Sequence, residues 1–130
     1  MNQSDASPPS SGTILVVEDE FFIALDIKSA LTSAGYKVLG PASSVDHALE
    51  LLRDTKPDAA VLDVDLGGER VTPVAIQLKA LGVPFVLASA IDAAALAQNA
   101  ALAGVLNVGK PTDMRQLAAA VGEIVAATRS

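Results

Sequence analysis

A chain of 130 residues has room for one folded core and little beyond it, and 51% hydrophobic residues with only 3% aromatics describe a small domain packed from Ala, Val, Leu and Ile. A net charge of −6, with Lys and Arg together numbering 9, argues against a nucleic-acid surface; the lack of Cys excludes a disulfide framework, a thiolate zinc site and a thiol nucleophile, and fits a reducing cytoplasm. No apolar run approaches the roughly 20 residues a helix needs to cross a bilayer, so no membrane partner is expected.

Residues 1–12 are rich in Ser, Pro and Asp and lack the basic start and apolar stretch of a signal peptide, which makes them a disordered leader to a domain at residues 13–128. The TILVV run at 13–17 is continuously apolar, as in a strand covered on both faces, and it ends in the acids Glu18, Asp19 and Glu20. Helical spacing of Phe22, Ile23, Ile27, Ala30 and Leu31 predicts a first helix over 20–34, stopped at Gly35. A second strand at 36–39 precedes a helix capped by Ser44 and running through Leu52, with Pro57 blocking its continuation. The third strand is 59–63, and after a loop at 64–72 Pro73 opens a third helix that Gly82 closes. Residues 85–88 form the fourth strand, Asp92 caps an alanine-rich fourth helix to about Ala103, 105–108 are the fifth strand, and Asp113 caps a last helix to about Thr128.

Five strands alternating with five helices predict an α/β fold of flavodoxin-like (βα)5 type, a doubly wound parallel sheet in the order 2-1-3-4-5. Its active crevice lies at the carboxyl ends of strands one and three. Glu18 and Asp19 follow strand one, Asp63 ends strand three, Ser89 follows strand four and Lys110 follows strand five, so all are expected on one rim. Carboxylates gathered in one crevice repel each other and are stable mainly around a cation, and an all-oxygen set suits Mg2+. Asp19 and Asp63 are the expected direct ligands, the backbone carbonyl of Asp65 a third, and Glu18 a ligand through water. A carboxylate held in line can attack phosphorus, so Asp63 is the candidate phosphoacceptor, with Lys110 and Ser89 meeting the phosphoryl oxygens. A Ser89 drawn inward would drag the loop ahead of the fourth helix, which is the expected readout.

With these residues assembled, the chain resembles the receiver domains of two-component response regulators over residues 14–125. ILVVEDE is similar to the receiver's first strand and acid pair, AVLDVDL to the acceptor strand, PFVLAS to the strand ending in the switch hydroxyl, and VGKP to the lysine-proline turn. DVDLGGE, VTPVA and PFVLASA also resemble a group of mostly single-domain receivers whose fourth strand reads PFxFATGY, although Leu87, Ser89, Ala90 and Ile91 replace its Phe, Thr, Gly and Tyr. The resemblance implies a signalling protein rather than an enzyme, with self-catalysed phosphotransfer and weak self-dephosphorylation. It implies a histidine kinase or phosphotransfer protein as donor, a downstream protein as target, and homodimerisation through the fourth helix, fifth strand and fifth helix. Where receivers carry an aromatic toggle three residues before the lysine, this chain has Asn107, so output is expected from the fourth helix and the loop before it. No output segment follows the last helix, so signalling by protein contact in a full-length chain is expected.

Other residues have plainer readings. His47 is expected on the surface of the second helix, away from the rim. Gly67-Gly68 lacks the Lys-Ser/Thr of a phosphate loop, since Glu69-Arg70 follows it, and is read as flexible loop. Adjacent Phe21 and Phe22 cannot both face inward, so one ring is expected in the core. Two rival functions are a phosphorylation-independent adaptor and an aspartyl-phosphate phosphatase. Asp63-Val-Asp65 resembles the phosphatase signature but follows strand three rather than strand one, and the retained pocket residues argue against the adaptor.

Overall fold

The computed structural model describes residues 12–129, and the expected disordered leader lies outside them but for Gly12. In chain order the elements are β1 (Thr13–Val17), α1 (Phe21–Ser33), β2 (Lys37–Ala42), α2 (Val45–Asp54), β3 (Ala59–Leu62), β4 (Asp65–Leu66), β5 (Glu69–Arg70), α3 (Thr72–Leu81), β6 (Phe85–Leu87), α4 (Ala93–Ala97) and α5 (Met114–Arg129).

The main sheet is parallel in the order β2-β1-β3-β6, with β1 between its two neighbours in the middle. Alternate side chains leave each strand on opposite faces, and here both faces are dry. Leu15, Val17, Ala60, Leu62, Phe85 and Leu87 pack with residues of α2 and α3, including Leu52, Val74 and Leu78. Ile14, Val16, Ala59, Val61 and Val86 pack with Ile27 and Leu31 of α1 and Leu117 and Val121 of α5. This is the expected α/β doubly wound arrangement.

Helix ends follow the sequence closely. Ser44 accepts a bond from His47 N, Asp92 from Ala95 N at 2.9 Å, and Asp113 from the backbone of Arg115 and Gln116, while Gly82 ends α3 in the left-handed conformation. His47 is on the surface.

Three expectations for the second half of the chain need correction. Residues 105–108 were expected as a full fifth strand but make one parallel bridge, Leu87 with Asn107, flanked by bonds from Leu87 N to Leu106 O and from Val108 N to Leu87 O, each 2.8 Å. Gly104 and Gly109, both at positive φ, turn the chain on either side and leave a segment too short for a ladder. The fifth position of the expected order is thus filled, but by a bridge. The fourth helix stops at Ala97 rather than near Ala103. Asn99 ends it by folding back, its Oδ1 accepting from Ala101 N at 3.0 Å while its Nδ2 donates to Thr72 Oγ1 at 2.9 Å, which fixes the turns after α4 to α3. The segment read as flexible loop at Gly67-Gly68 is instead the turn of an antiparallel hairpin, β4 with β5, in which both glycines have positive φ. Glu69 on that hairpin accepts a bond from Val45 N at 3.2 Å, so the hairpin rests against the start of α2.

Candidate functional site

The site grows from the ends of β1 and β3. Glu18 N donates to Ala42 O and Asp63 N to Val17 O, both at 2.9 Å, so backbone pairing continues one residue past each strand and fixes where the two acids leave the sheet. Glu18 is 2% exposed and Asp63 5%. With Asp19 they bring one carboxylate oxygen each to within 4.8 Å of one another. An all-oxygen, thrice-acidic cluster of this size fits a hard divalent cation such as magnesium.

Lys110 enters the same crevice. Its Nζ lies 3.0 Å from Asp63 Oδ2, 3.0 Å from Glu18 Oε1 and 3.5 Å from Glu20 Oε1. Only the longer approach to the Glu18 carboxylate, 3.3 Å to Oε2, has hydrogen-bond geometry, so the ammonium straddles that group rather than pointing at one oxygen. Burial pushes the Glu18 carboxyl up to about 7, with the nearby Asp63 charge adding to the rise, while the Glu20 N–H and Lys110 pull it back. Burial alone would lower Lys110, but its bonds to Asp63 and Glu18 outweigh that and hold it above the ordinary lysine value.

Ser89 follows β6 on the same rim and is 2% exposed. Its Oγ accepts from Ile91 N at 3.1 Å, and its backbone is held by Asn107, through Ser89 N to Oδ1 at 3.0 Å and Nδ2 to Ser89 O at 3.1 Å. Asp65 stands at the start of the hairpin, where its Oδ1 accepts from Gly68 N at 2.8 Å, and its own N–H reaches Asp63 Oδ1 at 3.4 Å. The Lys110–Pro111 peptide is cis.

The structure therefore brings Glu18, Asp19, Asp63 and Lys110 into one cluster, and places Ser89 and Asp65 beside it with their side chains bonded to main chain. Sequence reasoning missed Glu20 as a partner of Lys110 and Asn107 as a partner of Ser89. Only the run of acids after strand one hinted at the first. It also misplaced the phenylalanines: Phe21 and Phe22 are both exposed, at 71% and 76%, with their rings edge to face at 5.2 Å. The buried stripe of α1 is Ala24, Ile27 and Leu31, and both rings fall outside it. Phe21 and Leu25 instead line a depression of about 280 Å³ with Glu18, Asp19 and Pro41.

Chemically, the crevice presents a buried carboxylate with a cation fixed at one of its oxygens, and two further acids that would share a metal. Among the described residues no helix is long and apolar enough to cross a membrane.

Comparison with known proteins agrees with the fold. The transcriptional regulatory protein PdtaR of Mycobacterium tuberculosis is 28% identical over 106 residues, which cover 72% of this chain and 51% of that protein. The chemotaxis protein CheY of Thermotoga maritima is 34% identical over 53 residues, covering 41% of this chain and 44% of its own. Among solved structures, a response regulator receiver protein from Sinorhizobium medicae superposes with a TM-score of 0.80 at 29% identity, covering 91% of this chain and 97% of that one. The response regulator PhyR from Brucella abortus gives 0.79 at 25% identity, covering 97% of this chain and 54% of its own. The chain spans about half the length of the first relatives it matches. Receiver domains are signalling proteins rather than enzymes in the usual sense, and they generally bind Mg2+ in an acidic pocket. The response regulator receiver domain family matches residues 14–122, from β1 into α5, and the chain belongs to that family of two-component signalling proteins.

Proposed function

We propose that this chain is a response-regulator receiver, its folded unit at residues 13–128, that accepts a phosphoryl group on Asp63 in a magnesium-dependent reaction. The donor is a histidine kinase or phosphotransfer protein in the cytoplasm, and the output is contact with a downstream protein through the β6 to α4 region. The observation that carries the reading is the Lys110 ammonium, fixed 3.0 Å from Asp63 Oδ2 and held there by a second buried acid.

Asp63 and Asp19 would hold the ion directly, with the Asp65 carbonyl, and Glu18 through water. Magnesium, when bound, supplies charge opposite the phosphoryl oxygens. In the transfer, an Asp63 carboxylate oxygen forms a bond to phosphorus while the bond from phosphorus to the donor's imidazole nitrogen breaks, and the electron pair returns to that nitrogen. Lys110 already touches the acceptor and needs little movement to meet a phosphoryl oxygen, while the Ser89 hydroxyl donates to another. In slow self-dephosphorylation water attacks phosphorus and the Asp63 carboxylate leaves. Homodimerisation through α4, residues 105–108 and α5 belongs to the same proposal, and Leu106 stands exposed on that face.

The test is intact mass after incubation with acetyl phosphate and magnesium. One phosphoryl adduct is expected on the natural protein, and none on Asp63→Asn or with a chelator. An adduct that survives Asp63→Asn would move the acceptor elsewhere. No adduct at all, with kinase donors and early sampling included, would leave the phosphorylation-independent adaptor as the better account.

A further inference from the structure

β6 ends at Leu87, yet Ser89, two residues on, is buried, so its backbone N–H and C=O require partners away from water. One side chain supplies both. Asn107 Oδ1 accepts from Ser89 N at 3.0 Å and Asn107 Nδ2 donates to Ser89 O at 3.1 Å, the pair of bonds a neighbouring strand would have made. The same Oδ1 also accepts from Gly109 N at 3.0 Å, and Gly109, at φ +82°, leads directly into Lys110. The carboxamide orientation is set by this network: turned over, its NH2 would face two N–H donors. A single side chain thus joins the backbone of the switch hydroxyl residue to the turn that carries the lysine.

The Ser89 hydroxyl is engaged separately, accepting from Ile91 N at 3.1 Å in the loop ahead of α4. Two ways of meeting a phosphoryl group on Asp63 can be compared. Sliding the Ser89 backbone inward would strain or break the two bonds from Asn107 as well as the one to Ile91, whereas turning the side chain about χ1 releases the Ile91 bond alone. The second breaks fewer bonds, and each buried donor or acceptor left unpaired is costly.

We propose that Asn107 is a positioning residue of the switch: its carboxamide clips Ser89 to the lysine turn, so that Ser89 answers phosphorylation by rotating its hydroxyl, and the release of the Ile91 N–H is the message passed to α4. This rests on the phosphoacceptor reading of Asp63.

The test follows backbone amide exchange by NMR on the whole chain, first metal-free and then with beryllium fluoride and magnesium as the phosphoryl mimic, beside acetyl phosphate labelling read by mass. In the metal-free natural protein the Ser89 and Gly109 amides are protected; Asn107→Ala exposes both, and Asn107→Asp, which can accept both N–H bonds but sets an oxygen against Ser89 O, restores part of the protection. On adding the mimic to the natural protein, exchange at Ile91 rises while Ser89 and Gly109 stay protected. Asn107→Ala, which removes all three of these bonds, slows labelling about tenfold, since the Ser89 hydroxyl and the lysine turn lose their shared anchor. If Asn107→Ala does not fold, the natural protein and Asn107→Asp carry the comparison. The proposal is overturned if the mimic deprotects Ser89 and Gly109 together with Ile91 in the natural protein, or if Asn107→Ala labels at the natural rate. A natural protein that takes no label overturns both this proposal and the phosphoacceptor reading; natural-rate labelling of Asn107→Ala overturns this one alone.

Discussion

Glu18 is the residue at which burial and charge conflict most. Its carboxyl titrates near 4.5 when unfolded and near 7 in the fold, because burial and the neighbouring Asp63 disfavour its ionised form. The folded state therefore binds more protons than the unfolded state between those values, so this contribution to stability is complete below about 4.5 and is lost as pH rises through about 7. Urea unfolding without divalent ions should show lower stability at pH 8 than at pH 5 by on the order of 2 kcal/mol, and Glu18→Gln should flatten the difference. Equal stability at the two pH values would refute the conflict. Glu18, Asp19, Asp63 and Lys110 were legible in the sequence because each follows a strand or its expected position, and strand ends in a parallel sheet share a rim. Asn107 was legible only as a missing aromatic. What it does depends on a carboxamide reaching the backbone of residues 89 and 109 at once, and no periodicity records such a reach.

Among the elements, those with strong end signals were readable and those shaped by tertiary contacts were not. Ser44, Asp92, Gly82 and Asp113 marked their helix ends correctly because caps act within one turn. The length of α4 escaped because Asn99 bonds to Thr72 on another helix. β2 was expected to stop at Leu39, yet it runs on to Ala42 through Gly40 and Pro41, with a shift in its register against β1 between Leu15 and Val17. Gly40 makes this irregularity possible. At φ +97°, a Cβ there would meet Ala42 N at 2.7 Å and Val16 O at 3.0 Å, both main-chain atoms that cannot swing aside. Gly40→Ala should cost about 2–4 kcal/mol, read as a lower midpoint in chemical denaturation with the slope unchanged. A loss below half a kcal/mol would mean that the strand relaxes around the new side chain.

At the scale of the whole molecule, one sheet separates two hydrophobic cores. Leu31 of α1 belongs to one and Leu78 of α3 to the other, and both are fully buried. Leu31→Ala and Leu78→Ala should each cost about 2–5 kcal/mol by leaving a cavity, and their effects should add to within about 0.5 kcal/mol because they share no contacts across the sheet. Unfolding of the single variants should remain one transition, since every main strand serves both cores. Two separate transitions by circular dichroism would show that the faces melt independently. The fold class was legible because continuous apolar strands alternating with helices permit few topologies.

The hairpin turn bears on this economy of space. A Cβ on Gly67 would sit 3.4 Å from Asp19 Oδ2. Because Gly67 ends at its α-carbon, the doorway to Asp19 is framed on that side by a missing atom, and a side chain set in that frame would narrow the approach to the acids before it touched their chemistry.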